Sequence, residues 1–93
     1  SEGDLLHYYL GIDKIPCVIQ SPLRTDNRPS FGLYSIDGIR IFYKDLSTQE
    51  TGSTITLLSK LFGLSFYDTL KKIKNDFYKY CRNIFFNSLP RRL

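Results

Sequence analysis

The chain has little with which to hold a metal or run a reaction. It contains two cysteines, Cys17 and Cys81, far apart in sequence, and a single histidine, His7, inside an amphipathic helical pattern. A structural zinc site needs four nitrogen or sulfur ligands, commonly on a Cys-x-x-Cys knuckle, so no metal is expected. Scattered acids, no nucleophile–histidine arrangement and no glycine-rich phosphate loop leave no catalytic constellation and call for no cofactor, since nucleotide polymerisation needs clustered carboxylates on metal ions. Methionine is absent. A start at Ser1 is that of a processed chain, a chosen boundary or a piece of a longer protein. No apolar run approaches the ~20 residues that span a bilayer, and no basic-then-apolar leader opens the chain. It reads as cytoplasmic, without a membrane partner, its cysteines lone thiols.

What is present argues for one small folded domain. Of 93 residues, 42% are hydrophobic and 15% aromatic, with seven Tyr and seven Phe. This is near the lower size limit for a self-sufficient core, but aromatic rings bury much area per residue. The net charge is +4 and uneven, with residues 60–93 at +6 and residues 1–59 at −2. A basic half suits a polyanionic partner, although a solvated helix face gives the same pattern.

Along the chain, Asp4 is positioned to cap a helix Leu5–Leu10 that Gly11 ends. Ile15–Gln20 reads as a strand covered on both faces, since Val18 and Ile19 are both apolar. Ser21–Ser30 is a loop. Ser30–Ile36 and Ile39–Asp45 pair as a hairpin around Asp37-Gly38, a type I′ turn dipeptide. That turn sets Ile36, Tyr34 and Gly32 opposite Ile39, Ile41 and Tyr43 on a core face. Ser35, Leu33 and Phe31 then oppose Arg40, Phe42 and Lys44 on the other. Ser53 caps a helix Thr54–Phe62 stopped by Gly63. Ser65 opens a last helix to about Ile84, whose apolar stripe is Phe66, Leu70, Ile73, Phe77, Tyr80 or Cys81, and Ile84. The expected fold is α+β, a small antiparallel sheet flanked by helices with a long C-terminal amphipathic helix. Residues 1–86 form the domain and 87–93 a tail or linker.

One segment carries more than the rest. Ser21-Pro22-Leu23-Arg24, a short polar run, then Pro29-Ser30-Phe31 resembles the opening of the zinc-ribbon domain of bacterial-type DNA primases, which reads Cys-Pro-x-His and then Pro-Ser-Phe. Downstream, Phe42 to Gly52 covers the region of that family's Cys-x-x-Cys pair. Ile55–Leu61 and Gly63-Leu64-Ser65-Phe66 match its closing helix and the start of the next. The resemblance runs from about Ile15 to Ile73. At the former metal-ligand positions stand Ser21 and Arg24 and, within a residue or two, Asp45 and Thr48. This is similar to metal-free variants of phage and mobile-element primases. An Arg24–Asp45 ion pair across the old site is expected.

The resemblance implies a non-catalytic N-terminal module that engages single-stranded DNA and presents it to a primase catalytic domain. The platform would be Arg24, Arg28, Phe31, Arg40, Phe42 and Lys44, rings stacking bases and cations holding phosphates. Phe31 and Phe42 could instead pack beneath the loop or a helix. A second basic surface is Lys71, Lys74 and Arg82, on the helix face that also carries Tyr67 and Tyr78. The alternative function is a protein-interaction module docking on a replicative helicase or a primase catalytic domain, with no nucleic-acid contact.

Overall fold

Capping residues set the helix boundaries. In the computed structural model, which describes residues 1–88 and the side chains of residues 1–78, α1 (Glu2–Leu10) opens with a reciprocal capping box. Ser1 Oγ accepts the Asp4 N–H at 3.2 Å, and the Asp4 carboxylate accepts the Ser1 amino group at 3.1 Å. Ser1, rather than the expected Asp4, is therefore the cap. α2 (Thr54–Phe62) starts at Ser53, whose Oγ accepts the Thr56 N–H at 3.2 Å, and ends at Gly63 with φ 66°. α3 (Phe66–Ser88) follows Ser65, whose Oγ accepts the Asp68 N–H at 3.0 Å.

The strands β1 (Cys17–Ile19), β2 (Phe31–Ser35), β3 (Ile41–Asp45) and β4 (Thr51–Ser53) form one antiparallel sheet in the order β1-β2-β3-β4. With the three helices this is an α+β fold. β1 and β4 are its edges, each three residues long. β1 follows a cis Ile15–Pro16 bond, and β4 runs directly into α2. Val18 is 53% exposed, so β1 is not covered on both faces as its apolar pair suggested.

The β2–β3 register differs from the expected one by a residue. Ser35 faces Ile41, Tyr34 faces Phe42, Leu33 faces Tyr43, Gly32 faces Lys44 and Phe31 faces Asp45. The cause is the turn. Asp37 Oδ1 accepts the N–H groups of Ile39 and Arg40 at 2.9 and 2.8 Å, and Ser35 Oγ accepts that of Gly38 at 2.9 Å. Side chains thus take up the loop's backbone donors, and residues 36–40 make a wide turn instead of a two-residue one. Ile36 and Ile39, expected in the core, are 80% and 75% exposed at its tip.

Because side chains alternate across a strand, the slip inverts β2. Phe31 and Leu33 face inward with Ile41 and Tyr43, and Leu6 of α1 and Leu57 of α2 complete this cluster. Phe31 and Tyr43 stack with ring centroids 5.1 Å apart and planes 11° from parallel. Gly52, opposite Tyr43 on β4, is the floor for that ring, since a Cβ there would lie 2.6 Å from Tyr43 Cε1.

α3 packs on α2 and α1 with Ile73 and Phe77 of the expected stripe facing inward, but its first turns depart from that stripe. Phe66 and Leu70 are 61% and 41% exposed, whereas Thr69 is fully buried. Lys72, Ile73, Asp76 and Phe77 are half-buried. Specific polar partners outweigh the apolar pattern here. The Tyr9 hydroxyl donates to Asp76 Oδ2 at 2.8 Å, and Lys72 Nζ donates to the same oxygen at 3.0 Å. The Lys72 ammonium also lies 5.0 Å from the Phe62 ring centroid. Tyr80, Cys81 and Ile84, also assigned to the stripe, have side chains outside the described residues. α3 includes Asn87 and Ser88, the start of the expected tail; the rest of the tail lies outside the described residues. Among the described residues no helix is long and apolar enough to cross a membrane.

Candidate functional site

Two constructions stand out, one at the end of β3 and one on the sheet's outer face. The first joins the loop before β2 to the β3–β4 turn. Arg24 Nη2 donates to Asp45 Oδ1 and Oδ2 at 3.0 and 3.1 Å, and its Nε reaches Oδ2 at 3.3 Å. Asp45 is only 5% exposed, yet its Oδ1 also accepts the N–H groups of Ser47 and Thr48 at 2.9 and 3.2 Å. Burial would raise its pKa, but those two N–H groups and Arg24 outweigh burial and hold the carboxyl below its ordinary value. Asp26 extends the network. It accepts from the Ser30 hydroxyl at 2.7 Å and the Ser21 N–H at 3.1 Å, and lies 3.6 Å from Arg24 Nη1. Chiefly through the Ser30 hydroxyl, and then the Ser21 N–H, the Asp26 carboxyl is held below its ordinary pKa. Ser21, Arg24, Asp45 and Thr48 therefore belong to one hydrogen-bonded network. The Arg24–Asp45 pair is present, while Asp26 and Ser30 were not anticipated.

This occupation removes Arg24 from the expected DNA platform, because its guanidinium is directed at two carboxylates. Among the described residues, no group of three or more His, Cys, Asp or Glu side chains is placed to hold a metal ion. Cys17 is a half-buried free thiol whose pKa burial pushes up.

The second construction is the face of the sheet opposite Leu6 and Leu57. One row across it is Val18, Gly32, Lys44 and Thr51, and the next is Tyr34, Phe42 and Ser53. Tyr34 and Phe42 form a tilted pair with centroids 5.9 Å apart. The Arg40 guanidinium carbon is 5.9 Å from the Phe42 centroid, while its Nε donates to Asp37 Oδ2 at 3.0 Å. The N–H groups of Arg40 and Ile39, with this side chain, hold the Asp37 carboxyl well below the usual carboxylate range. Lys44 has no carboxylate partner among the described residues.

Of the expected platform, Arg40, Phe42 and Lys44 are brought together here, and Arg28 is exposed in the loop before β2. Phe31 is not on it. It is fully buried against Tyr43, because the wide turn reverses β2. Tyr34 takes its place, having been assigned to the core. Ser35 and Asp37 ahead of Gly38, both side chains able to bind turn N–H groups, were the signal for that reversal.

On α3, Tyr67, Lys71, Lys74 and Tyr78 line one shallow groove, with Tyr67 and Tyr78 69% and 66% exposed. The Lys71 ammonium lies 5.5 Å from the Tyr67 ring centroid. The Arg82 side chain is outside the described residues. Comparison with protein-family models, with curated proteins and with solved structures returned no match to this chain.

Proposed function

We propose that this chain is a non-catalytic, single-stranded DNA-engaging module of a DNA primase or primase–helicase, acting in the cytoplasm beside a catalytic domain. The observation that carries the reading is the Tyr34–Phe42 pair with Arg40 and Lys44 on the sheet face opposite the helices' core contacts. Aromatic faces accept any base, and flanking cations hold phosphates, so such a surface binds single strands with little sequence preference. The resemblance gains support from the charge network. If the positions of Ser21, Arg24, Asp45 and Thr48 once held a metal, hydrogen bonds now join the same two segments.

Fluorescence anisotropy with a short labelled oligothymidylate tests this. Binding should be weak and should fall steeply with salt as counterions are released. Replacing Arg40 and Lys44 together by Ala should reduce affinity and flatten the salt dependence by up to about two contacts. Exposed changes of this kind usually cost about 0.5 kcal/mol or less, so the fold should survive. Unchanged binding in the double variant would move the site to Lys71 and Lys74.

The second reading, a module docking on a helicase or a catalytic domain, is favoured by α3. Its outward arc carries Phe66, Leu70, Tyr67 and Tyr78 beside Lys71 and Lys74. Asp68, three residues before Lys71, is the one acid at its margin among the described residues. That composition suits an acidic amphipathic segment of a partner. Folded protein that fails to bind the oligonucleotide at low salt would select this reading.

A further inference from the structure

Gly32 occupies the middle of a central strand, where glycine weakens pairing and contributes no packing. Four of the other five glycines have a local reason, the exception being Gly3 in the first turn of α1. Gly11, Gly38 and Gly63 have φ of 69°, 75° and 66°, and Gly52 supports the Tyr43 ring at a distance that no Cβ could share. Gly32 has neither reason. Its φ is not positive, and the nearest atom to a Cβ built there is the Lys44 carbonyl oxygen at 3.6 Å, an ordinary contact. Neither conformation nor packing excludes a side chain.

The missing side chain leaves a recess in the outer face. Gly32 is its floor, and its cross-strand neighbours Val18 and Lys44 are its walls. The strands that carry them lie about 9.6 Å apart, two inter-strand spacings. The Tyr34–Phe42 pair closes the next row along the strands. A glycine within a strand often marks a bulge, a tight bend or a place where a ligand or another backbone approaches closely, and the register runs through Gly32 without a bulge.

Resting on the function proposed above, we infer that the Gly32 recess is a subsite for one unpaired nucleobase. The base sits on the β2 backbone beside the Tyr34–Phe42 pair, and Lys44 neutralises the adjoining phosphate. A base held in a duplex is stacked on both sides and paired at its edge, so it cannot enter. The recess thereby makes the face selective for single strands.

The test separates stability from binding in Gly32→Val and Gly32→Ala, with Gly52→Ala for comparison. β-Branched residues suit strands, so Gly32→Val should melt at or above the wild-type temperature, while Gly52→Ala should melt below it. Affinity of Gly32→Val for the labelled oligothymidylate should drop about tenfold, as expected for loss of one stacked base. Gly32→Ala should show a smaller loss. Wild-type binding to a duplex of the same length should be much weaker than to the single strand.

Equal affinity of wild type and Gly32→Val would overturn the subsite while leaving the single-strand reading intact, whereas equal affinity for duplex and single strand would overturn both. Lowered melting temperatures in both Gly32 variants would make the glycine a packing requirement and would also overturn the subsite. Absence of oligonucleotide binding by folded wild type is a different result, which removes the functional reading itself.

Discussion

Asp45 is a buried carboxylate with donors from three directions: Arg24 and the N–H groups of Ser47 and Thr48. Its lowered pKa fixes the sign of a pH effect. A carboxyl whose folded pKa lies below the unfolded value of about 3.9 contributes stability that is fully present above that pH. The contribution is lost as pH falls through the folded value. Asp26 behaves alike, being lowered through Ser30 and Ser21. The melting temperature should therefore hold near neutrality and drop below about pH 4. Arg24→Ala removes one donor group and returns Asp45 toward its ordinary pKa. It should lower the melting temperature at neutral pH by roughly 4–8 °C, a shift typical of one modest interaction in a small domain. The deficit should shrink in acid, where the wild type has lost the same interaction. Melts of both proteins at neutral and acidic pH check this, and equal melting temperatures at neutral pH would deny the pair its role.

Among the elements, α3 gives the sharpest contrast between pattern and packing. Thr69 is fully buried and Phe66 is 61% exposed, the reverse of what the apolar spacing predicts. Thr69→Leu should overpack the α2–α3 contact and cost about 1–3 kcal/mol. Phe66→Ser should stay within about 0.5 kcal/mol. Urea titrations decide between the two, and a larger loss in Phe66→Ser would restore the original stripe. The elements read correctly from sequence are those whose signals are local. Ser53 and Gly63 bound α2 because a cap is a contact within one turn. The inward set of β3, Ile41 and Tyr43, was legible because Lys44 forces the even positions outward. β2 was inverted because its facing depends on a turn shaped by Asp37 and Ser35, and β4 was missed because three residues carry no period. The α3 stripe was legible at Ile73 and Phe77 but not at Thr69, Lys72 and Asp76, since Asp76 is held by Tyr9, 67 residues away in sequence. For the candidate site, Arg40, Phe42, Lys44 and the Arg24–Asp45 pair were readable. Tyr34, Gly32 and the Asp26–Ser30 link required the register.

For the molecule as a whole, the loop before β2 and the β3–β4 turn are joined by side chains, and the core cluster that includes Phe31, Tyr43 and Leu57 lies beside them. The purified domain should keep its melting temperature in the presence of a strong chelator. A metal that completed the fold would have carried folding free energy, and its removal would unfold the chain. A large fall on chelation, or tightly held stoichiometric zinc by elemental analysis, would contradict this. The sheet's short edges have a consequence for crowding. Unpaired strand edges are templates on which neighbouring copies add strands, a route to fibres. Here each edge offers three residues, one bounded by Pro16 and the other ending in the turn into α2. Many copies can therefore be held at high local concentration without their sheets fusing edge to edge.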